Sequence, residues 1–269
     1  MALQGKNVLI TGASMGIGEK IAITLAKAGA NVMLFARSKD KLESVAEAVR
    51  KDISGAKVSC FATDVQDYEA VQSSVEQAVK ERGQIDVLIN NAGLALGAPA
   101  PFQKLSISQI LQMNNTNVNG TMFATYAVLN ASMVPRNSGT VLNVSSTTAL
   151  EAPPFPGEAV YHANKACMEG FTNALRNELC GTDIKVLALR PGVVDTHFHT
   201  QRVGFDKELH GQFMEGFDPL EDQNVADAAL YMLSQPLNVS IKALDLVPTA
   251  QRSLNVFDRE WRSREAERK

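Results

Sequence analysis

Thr11-Gly12-Ala13-Ser14-Met15-Gly16-Ile17-Gly18 follows an apolar run at 7–10 and opens an alanine-rich segment of helical period. A strand, a glycine turn and a helix start in this order build a phosphate site, because the first turn of a helix carries free N–H groups and a partial positive charge. Gly12 permits the turn, Gly16 lets a pyrophosphate approach the backbone, and Gly18 lets the helix pack closely on the sheet. The same residues also match the G-x-S-x-G elbow of serine hydrolases, with Ser14 as nucleophile. That elbow needs earlier strands and an earlier loop for its oxyanion hole, and only ten residues precede Thr11.

Outward from this turn, short Val-, Ile- and Leu-rich runs alternate with longer segments of helical period, the pattern of βαβ units. Strands are expected at 7–10, 31–35, 57–62, 86–89, 140–144, 185–189 and 243–247, and helices at 18–28, 39–51, 68–82, 106–135, 160–180 and 224–234. Most strand runs are apolar on successive residues, so both sheet faces should be covered. The expected fold is α/β, a doubly wound seven-stranded parallel sheet with helices on both faces. It should occupy a single catalytic domain at 1–255 with a substrate loop at about 195–220, followed by a charged tail at 256–269. The last twelve residues carry four acidic and five basic side chains, which reads as a solvated helix or mobile tail.

The 269 residues are 45% hydrophobic and 20% charged, enough for a sizeable core. A net charge of -3 with dispersed Lys and Arg gives no electrostatic reason to expect nucleic acid or anionic membrane. No apolar stretch approaches the ~20 residues that span a bilayer, and no signal peptide is legible. Cys60, Cys167 and Cys180 are too few and too dispersed for a disulfide framework, so a cytoplasmic protein is expected.

If the glycine turn holds a dinucleotide, the end of the second strand selects it. A carboxylate there would hold the 2'-hydroxyl of NAD, but Phe35-Ala36-Arg37-Ser38 stands in its place. The Arg37 guanidinium, with the Ser14 or Ser38 hydroxyl, suits a 2'-phosphate, which favours NADP(H). The competing reading makes Arg37 a solvated charge opening the next helix. Further on, Tyr161 and Lys165 stand one helical turn apart and share a face, after a strand that ends in Asn143-Val144-Ser145-Ser146.

These features together resemble the short-chain dehydrogenase/reductase family in its compact form. The resemblance rests on TGASMGIG at 11–18, Asp64, NNAG at 90–93, NVNG at 117–120, VSS at 144–146, YHANK at 161–165 and RPGVVDT at 190–196. It implies Asn117, Ser146, Tyr161 and Lys165 as a catalytic tetrad. For the cofactor it implies Gly12, Ser14, Gly16, Ile17, Gly18, Arg37 and Ser38 at the phosphates. Asp64, Val65, Asn90, Asn91, Ala92 and Gly93 belong to the adenosine side and the adjoining strand end. Pro191, Gly192, Val194 and Thr196 fall near the nicotinamide. In that reading Lys165 together with an oxidised nicotinamide ring makes the Tyr161 phenol acidic enough to exchange its proton, Lys165 also holds the ribose, Ser146 donates to the substrate oxygen, and Asn117 anchors a water. Ser146 lies fifteen residues before Tyr161 where the family has thirteen; the Pro-rich loop with Pro153, Pro154 and Pro156 absorbs the difference and stiffens the site wall. Thr147 and Thr148 are reserve hydroxyls.

The implied activity is the interconversion of a ketone or aldehyde and an alcohol, with a small-molecule carbonyl or alcohol as partner and a homodimer or homotetramer as assembly. Leu246-Val247-Pro248-Thr249-Ala250-Gln251 is similar to the 3-hydroxy acid or serine dehydrogenase branch, and a secondary-metabolism ketoreductase is equally admissible. A non-redox isomerase or cyclase and a nucleotide-sensing protein are the alternatives. No metal is expected, since His162, His197, His199 and His210 lack companions at ligand spacing. In the loop, His197, His199 and Arg202 could touch substrate or sit at the surface, Asn114 and Asn115 read as helix-surface or kink residues, and Leu94, Leu96, Phe155, Phe198 and Phe205 could line a pocket or a core.

Overall fold

The first strand, β1 (Asn7–Thr11), is buried along its whole length. Successive strand side chains point to opposite faces, so Val8 and Ile10 enter one core and Leu9 the other. An apolar run without alternation therefore means a sheet covered on both sides. In the computed structural model, which describes residues 2–153, 155–202, 204 and 206–268, this holds throughout the central strands. Pro154 and Phe205 lie outside the described residues, as do the side chains of His199 and His210.

From β1, α1 (Gly16–Lys27) leads to β2 (Asn31–Ala36), α2 (Lys39–Asp52) to β3 (Val58–Ala62) and α3 (Tyr68–Arg82) to β4 (Val87–Asn90). A helical run of α4 (Ile107–Asn114), α5 (Gly120–Val128) and α6 (Val134–Arg136) precedes β5 (Ser138–Val144). The chain continues through α7 (Ala159–Glu178), β6 (Asp183–Pro191), α8 (His197–Arg202), α9 (Lys207–Phe213), α10 (Asp222–Leu233) and β7 (Ala243–Leu246). It ends in a hairpin of β8 (Gln251–Ser253) and β9 (Val256–Phe257) and then α11 (Trp261–Arg268). The seven strands pair in parallel in the order β3-β2-β1-β4-β5-β6-β7. The expected seven-stranded doubly wound sheet is the one observed. Its winding reverses between β1 and β4, and the crevice at such a switch point is where open α/β sheets bind ligands. No helix among the described residues is long and apolar enough to cross a membrane.

One stretch departs from its expected form. The helix expected at 106–135 starts on a capping box, Ser106 with Gln109, and then widens into π turns at Asn115–Asn119 and Leu129–Met133. A π turn inserts one residue and rotates the next part of the helix about its axis, and the first of these carries Asn117 inward. The charged tail forms the solvated helix, one of the two forms expected of it, and its aromatic residues dock it on the domain. Phe257 and Trp261 pack against the cluster of Val193, Phe217 and Ala250, and Arg259 donates to the carbonyls of Phe213 and Glu215. Its charges outnumber its aromatic residues, but the aromatic residues decide where it docks.

Beneath the C-terminal ends of β4 and β5 runs a buried polar ladder. Asn90 donates to Thr125 at 2.9 Å and to Asn143 at 2.8 Å, and Asn143 donates to Thr172 at 2.8 Å. Asn90 is therefore not at the adenosine side as expected; it ties β4 and β5 to α5. Asn143→Ala should cost about 1–3 kcal/mol by leaving buried partners unmatched, read as a lower urea midpoint with an unchanged slope.

Candidate active site

The turn after β1 is held by the turn after β4. The Thr11 hydroxyl accepts the N–H groups of Asn91 and Ala92 at 3.1 Å, and the Asn91 amide donates to the carbonyls of Thr11 and Gly12 at 3.1 Å. Gly12 has φ +66° and a Cβ there would sit 2.8 Å from the Ala92 Cα, so geometry and space both require glycine. A Cβ on Gly18 would lie 2.3 Å from the Gly12 carbonyl oxygen. Gly18 thus lets α1 pack against its own entry turn, rather than only against the sheet. Gly16 is different: a Cβ would meet nothing closer than Thr196 at 3.8 Å, so its backbone faces open space.

That space is a cleft of about 350 Å3 over the strand ends. Every residue expected at the cofactor except Asn90 lines it, as do Ser146, Tyr161 and Lys165. Arg37 and Ser38 stand at one end, and Arg37 makes no ion pair among the described residues. Lys41, four residues on at the start of α2, lines the same end and was missed; its spacing from Arg37 was the available signal. Asp64 accepts from the Gln66 N–H at 3.0 Å, which shapes the turn after β3. No hydrogen bond joins Ser14 to a histidine or carboxylate among the described residues, which leaves the hydrolase reading without a base.

At the other end, the Ser146 hydroxyl accepts from the Thr148 N–H at 3.1 Å, capping a short turn at Thr147–Ala149, and donates to the Pro191 carbonyl at 3.4 Å. Lys165 lies with its ammonium 5.8 Å from the Tyr161 ring centre and donates to the Val144 carbonyl at 2.8 Å. Asn117 does not line the cleft. Its amide exchanges two hydrogen bonds of 2.8 Å with the backbone of Leu94 and donates to Asn164, which in turn donates to Asn114. The Asn117 amide nitrogen is thus fully used, while its oxygen accepts one hydrogen bond. Leu94 and Phe198 line the cleft, while Phe155 lies against Arg202 and Leu96 packs beside Leu94 and Tyr161. His162 bonds the Thr148 carbonyl and His197 lines the mouth. Arg202 is neither at the surface nor open: it is buried and ion-paired with Glu158, a partner that no local pattern announced.

The family model for short chain dehydrogenase matches residues 6–205. The chain belongs to the short-chain dehydrogenase family. It is 36% identical over 254 residues to the NADP-dependent 3-hydroxy acid dehydrogenase of Schizosaccharomyces pombe, covering 94% of this chain and 96% of that protein. To sulfoacetaldehyde reductase 2 of Chromohalobacter salexigens it is 33% identical, covering 91% and 94% of the two chains. Among solved structures, the closed form of serine dehydrogenase complexed with NADP+ superposes with a TM-score of 0.83 at 31% identity, covering 94% and 99%.

In this short-chain dehydrogenase, burial governs the two titrating groups at the deep end. It pushes the Tyr161 phenol up to about 12, against the Arg202 charge and the Ser146 hydrogen bond. It also pushes Lys165 down to about 8, against the attraction of Glu169. The dry site disfavours both charged forms, and the ammonium is turned to the Val144 carbonyl. Burial is the largest single effect on Glu169 and would raise it, but the hydrogen bonds from Arg190 at 2.8 and 3.0 Å, together with Ser145 and the charges of Arg190 and Lys165, lower it.

A lysine with a lowered folded pKa weakens the fold while it must be charged. That cost is full below about pH 8 and is relieved as pH rises toward the unfolded value of 10.5. Between pH 8 and 9, below the range where Cys60 and Tyr161, both raised by burial, oppose the trend, the urea midpoint of the protein alone should rise. In Lys165→Met that rise should flatten, the difference over this window amounting to about 1 kcal/mol.

Proposed function

We propose that the protein is an NADP(H)-dependent oxidoreductase interconverting a ketone or aldehyde and an alcohol. The observation that supports this best is the sharing of one cleft by two unlike ends. One end has Tyr161, Ser146 and Lys165 together, and the other has the glycine turn with Arg37 and Lys41. The residues fit a dinucleotide: Met15 gives α1 no side-chain cap, so the first N–H groups of the helix remain for a phosphate, and Gly16 presents bare backbone beside them. Arg37 and Lys41 offer two cations to a 2'-phosphate, in keeping with relatives named for NADP. When bound, the dinucleotide supplies the hydride for the carbonyl carbon.

In this reading Tyr161 gives its proton to the carbonyl oxygen, and Ser146 donates a hydrogen bond to the same oxygen as negative charge builds there. The phenol is protonated at neutral pH, the form that gives a proton to a carbonyl oxygen, and reduction is the proposed direction. Lys165 would exchange the Val144 carbonyl for the ribose hydroxyls. Asn117 acts by fixing Leu94, and through it the backbone beside Lys165. Residues 1–255 form the catalytic unit in the same proposal. Exposed Ile107, Leu111 and Tyr126 along α4 and α5 support a homodimer or homotetramer, and a cytoplasmic location accompanies the reading.

Tyr161→Phe should cut carbonyl-dependent NADPH consumption by about 100-fold or more while NADPH still binds, measured by turnover and by fluorescence of the bound nucleotide. Turnover that persists in this variant would remove the mechanism. Arg37→Ala should weaken NADPH by ~1.5–3 kcal/mol and leave NADH nearly unaffected; equal losses in the two dissociation constants would refute the 2'-phosphate role.

A further inference from the structure

A buried charge beside a reacting carbonyl decides what charge a substrate can bring with it. Arg202 of α8 reaches the substrate end of the cleft at 5% exposure, close enough to Tyr161 for its charge to act on the phenol. Its guanidinium is already engaged. Nε and Nη2 both donate to the carboxylate of Glu158, 2% exposed, at the residue before α7. The pair carries no net charge as a whole, and two of the guanidinium donors are spent on Glu158 rather than open to a substrate anion. Aromatic rings enclose it: the guanidinium lies 5.3 Å from the Phe155 ring centre and 6.0 Å from that of Phe213. Phe198 packs on Tyr161 with ring centres 5.5 Å apart. Lys165, the other Lys or Arg lining this end among the described residues, is bonded to the Val144 carbonyl.

We infer that this site takes an uncharged ketone or alcohol bearing an aryl or alkyl group, and that Glu158 sets this preference by neutralising Arg202. A substrate carboxylate or sulfonate would lose its water and meet an Arg202 guanidinium already paired with Glu158 and a Lys165 ammonium turned to the Val144 carbonyl. The inference rests on the carbonyl-reductase reading above. It separates this chain from relatives whose names specify a 3-hydroxy acid or sulfoacetaldehyde.

The test uses the protein loaded with NADP+ and two probes that differ only in an ester, methyl 3-hydroxy-3-phenylpropanoate and the free 3-hydroxy-3-phenylpropanoate. Calorimetry should find the ester bound at least ~10-fold more tightly, since the acid would bury an unpaired charge. Glu158→Gln removes the carboxylate paired with Arg202 and should erase or invert that ratio. Combining Glu158→Gln with Arg202→Met removes both charges and should restore the ester preference, which separates the charge effect from damage to the fold. Acid binding as tight as ester, binding of neither probe, or a ratio unmoved by Glu158→Gln overturns the inference. NADPH formation is followed in the same samples. An ester that binds with the expected preference but is never oxidised refutes the redox reading and leaves the charge preference standing.

Discussion

The cleft exists because two turns at the switch point of the sheet are bound to each other before any ligand arrives. One threonine hydroxyl, Thr11, accepts two backbone N–H groups from the turn after β4, and one amide, Asn91, returns two bonds to the turn after β1. Neighbouring strands on the two sides of a winding reversal send their chains to opposite faces, so a gap opens above them. The clamp stops that gap from spreading. It holds the Gly16 backbone open and brings Gly93 to the side of Lys165, where an added Cβ would be 3.8 Å from the ammonium nitrogen. Glycine is required at Gly12 for the same reason that the clamp is short: there is no room for a side chain between the two turns.

Desolvation is the second constraint, and it acts on both ends of the proton chemistry. Tyr161 and Lys165 lie in one dry corner, so each is driven toward its neutral form, the phenol upward and the amine downward. Opposing this are charges held outside the corner: Arg202 on the lid side and Glu169 one turn along α7. Glu169 is in turn fixed by Arg190 on β6, which also reaches Asp245 on β7 at 3.1 Å. The tyrosine and lysine are thus tuned by groups on three different elements, and no pair of residues in the helix sets their behaviour alone.

Legibility in the sequence depends on which constraints are local. Glycines at a turn, a tyrosine and lysine one helical turn apart, and apolar runs on a two-faced strand are all short-range patterns, and each lies where its pattern predicts. Asn90 and Asn117 escape such patterns because an amide can bond almost anything. Only the fold decides that Asn90 faces Asn143 and Thr125, and that Asn117 spends its amide on Leu94 and Asn164. The π turn that carries Asn117 inward has no signature in a run of asparagines. Glu158 and Arg202 are separated by 44 residues, and nothing near either one announces the other.

The lid shows how one scaffold can host different substrates without disturbing the chemistry. The proposed catalytic side chains stand on strand ends and on α7, anchored by the sheet, whereas the facing wall of the cleft draws on α8, α9 and the C-terminal segment. Phe213 of α9 stacks near Phe257 with ring centres 5.6 Å apart, and Arg259 donates to the Phe213 carbonyl at 2.6 Å. Leu254, at the turn between β8 and β9, donates its N–H to Glu151 at 2.9 Å and itself lines the cleft. The tail therefore braces the lid against the loop that precedes α7, the loop that also leads into Glu158. Residues that govern charge in the substrate end and residues that hold the lid in position belong to one connected layer, mechanically separate from the dinucleotide turn. A change in that layer can alter what is bound while the hydride and proton positions stay where the sheet puts them.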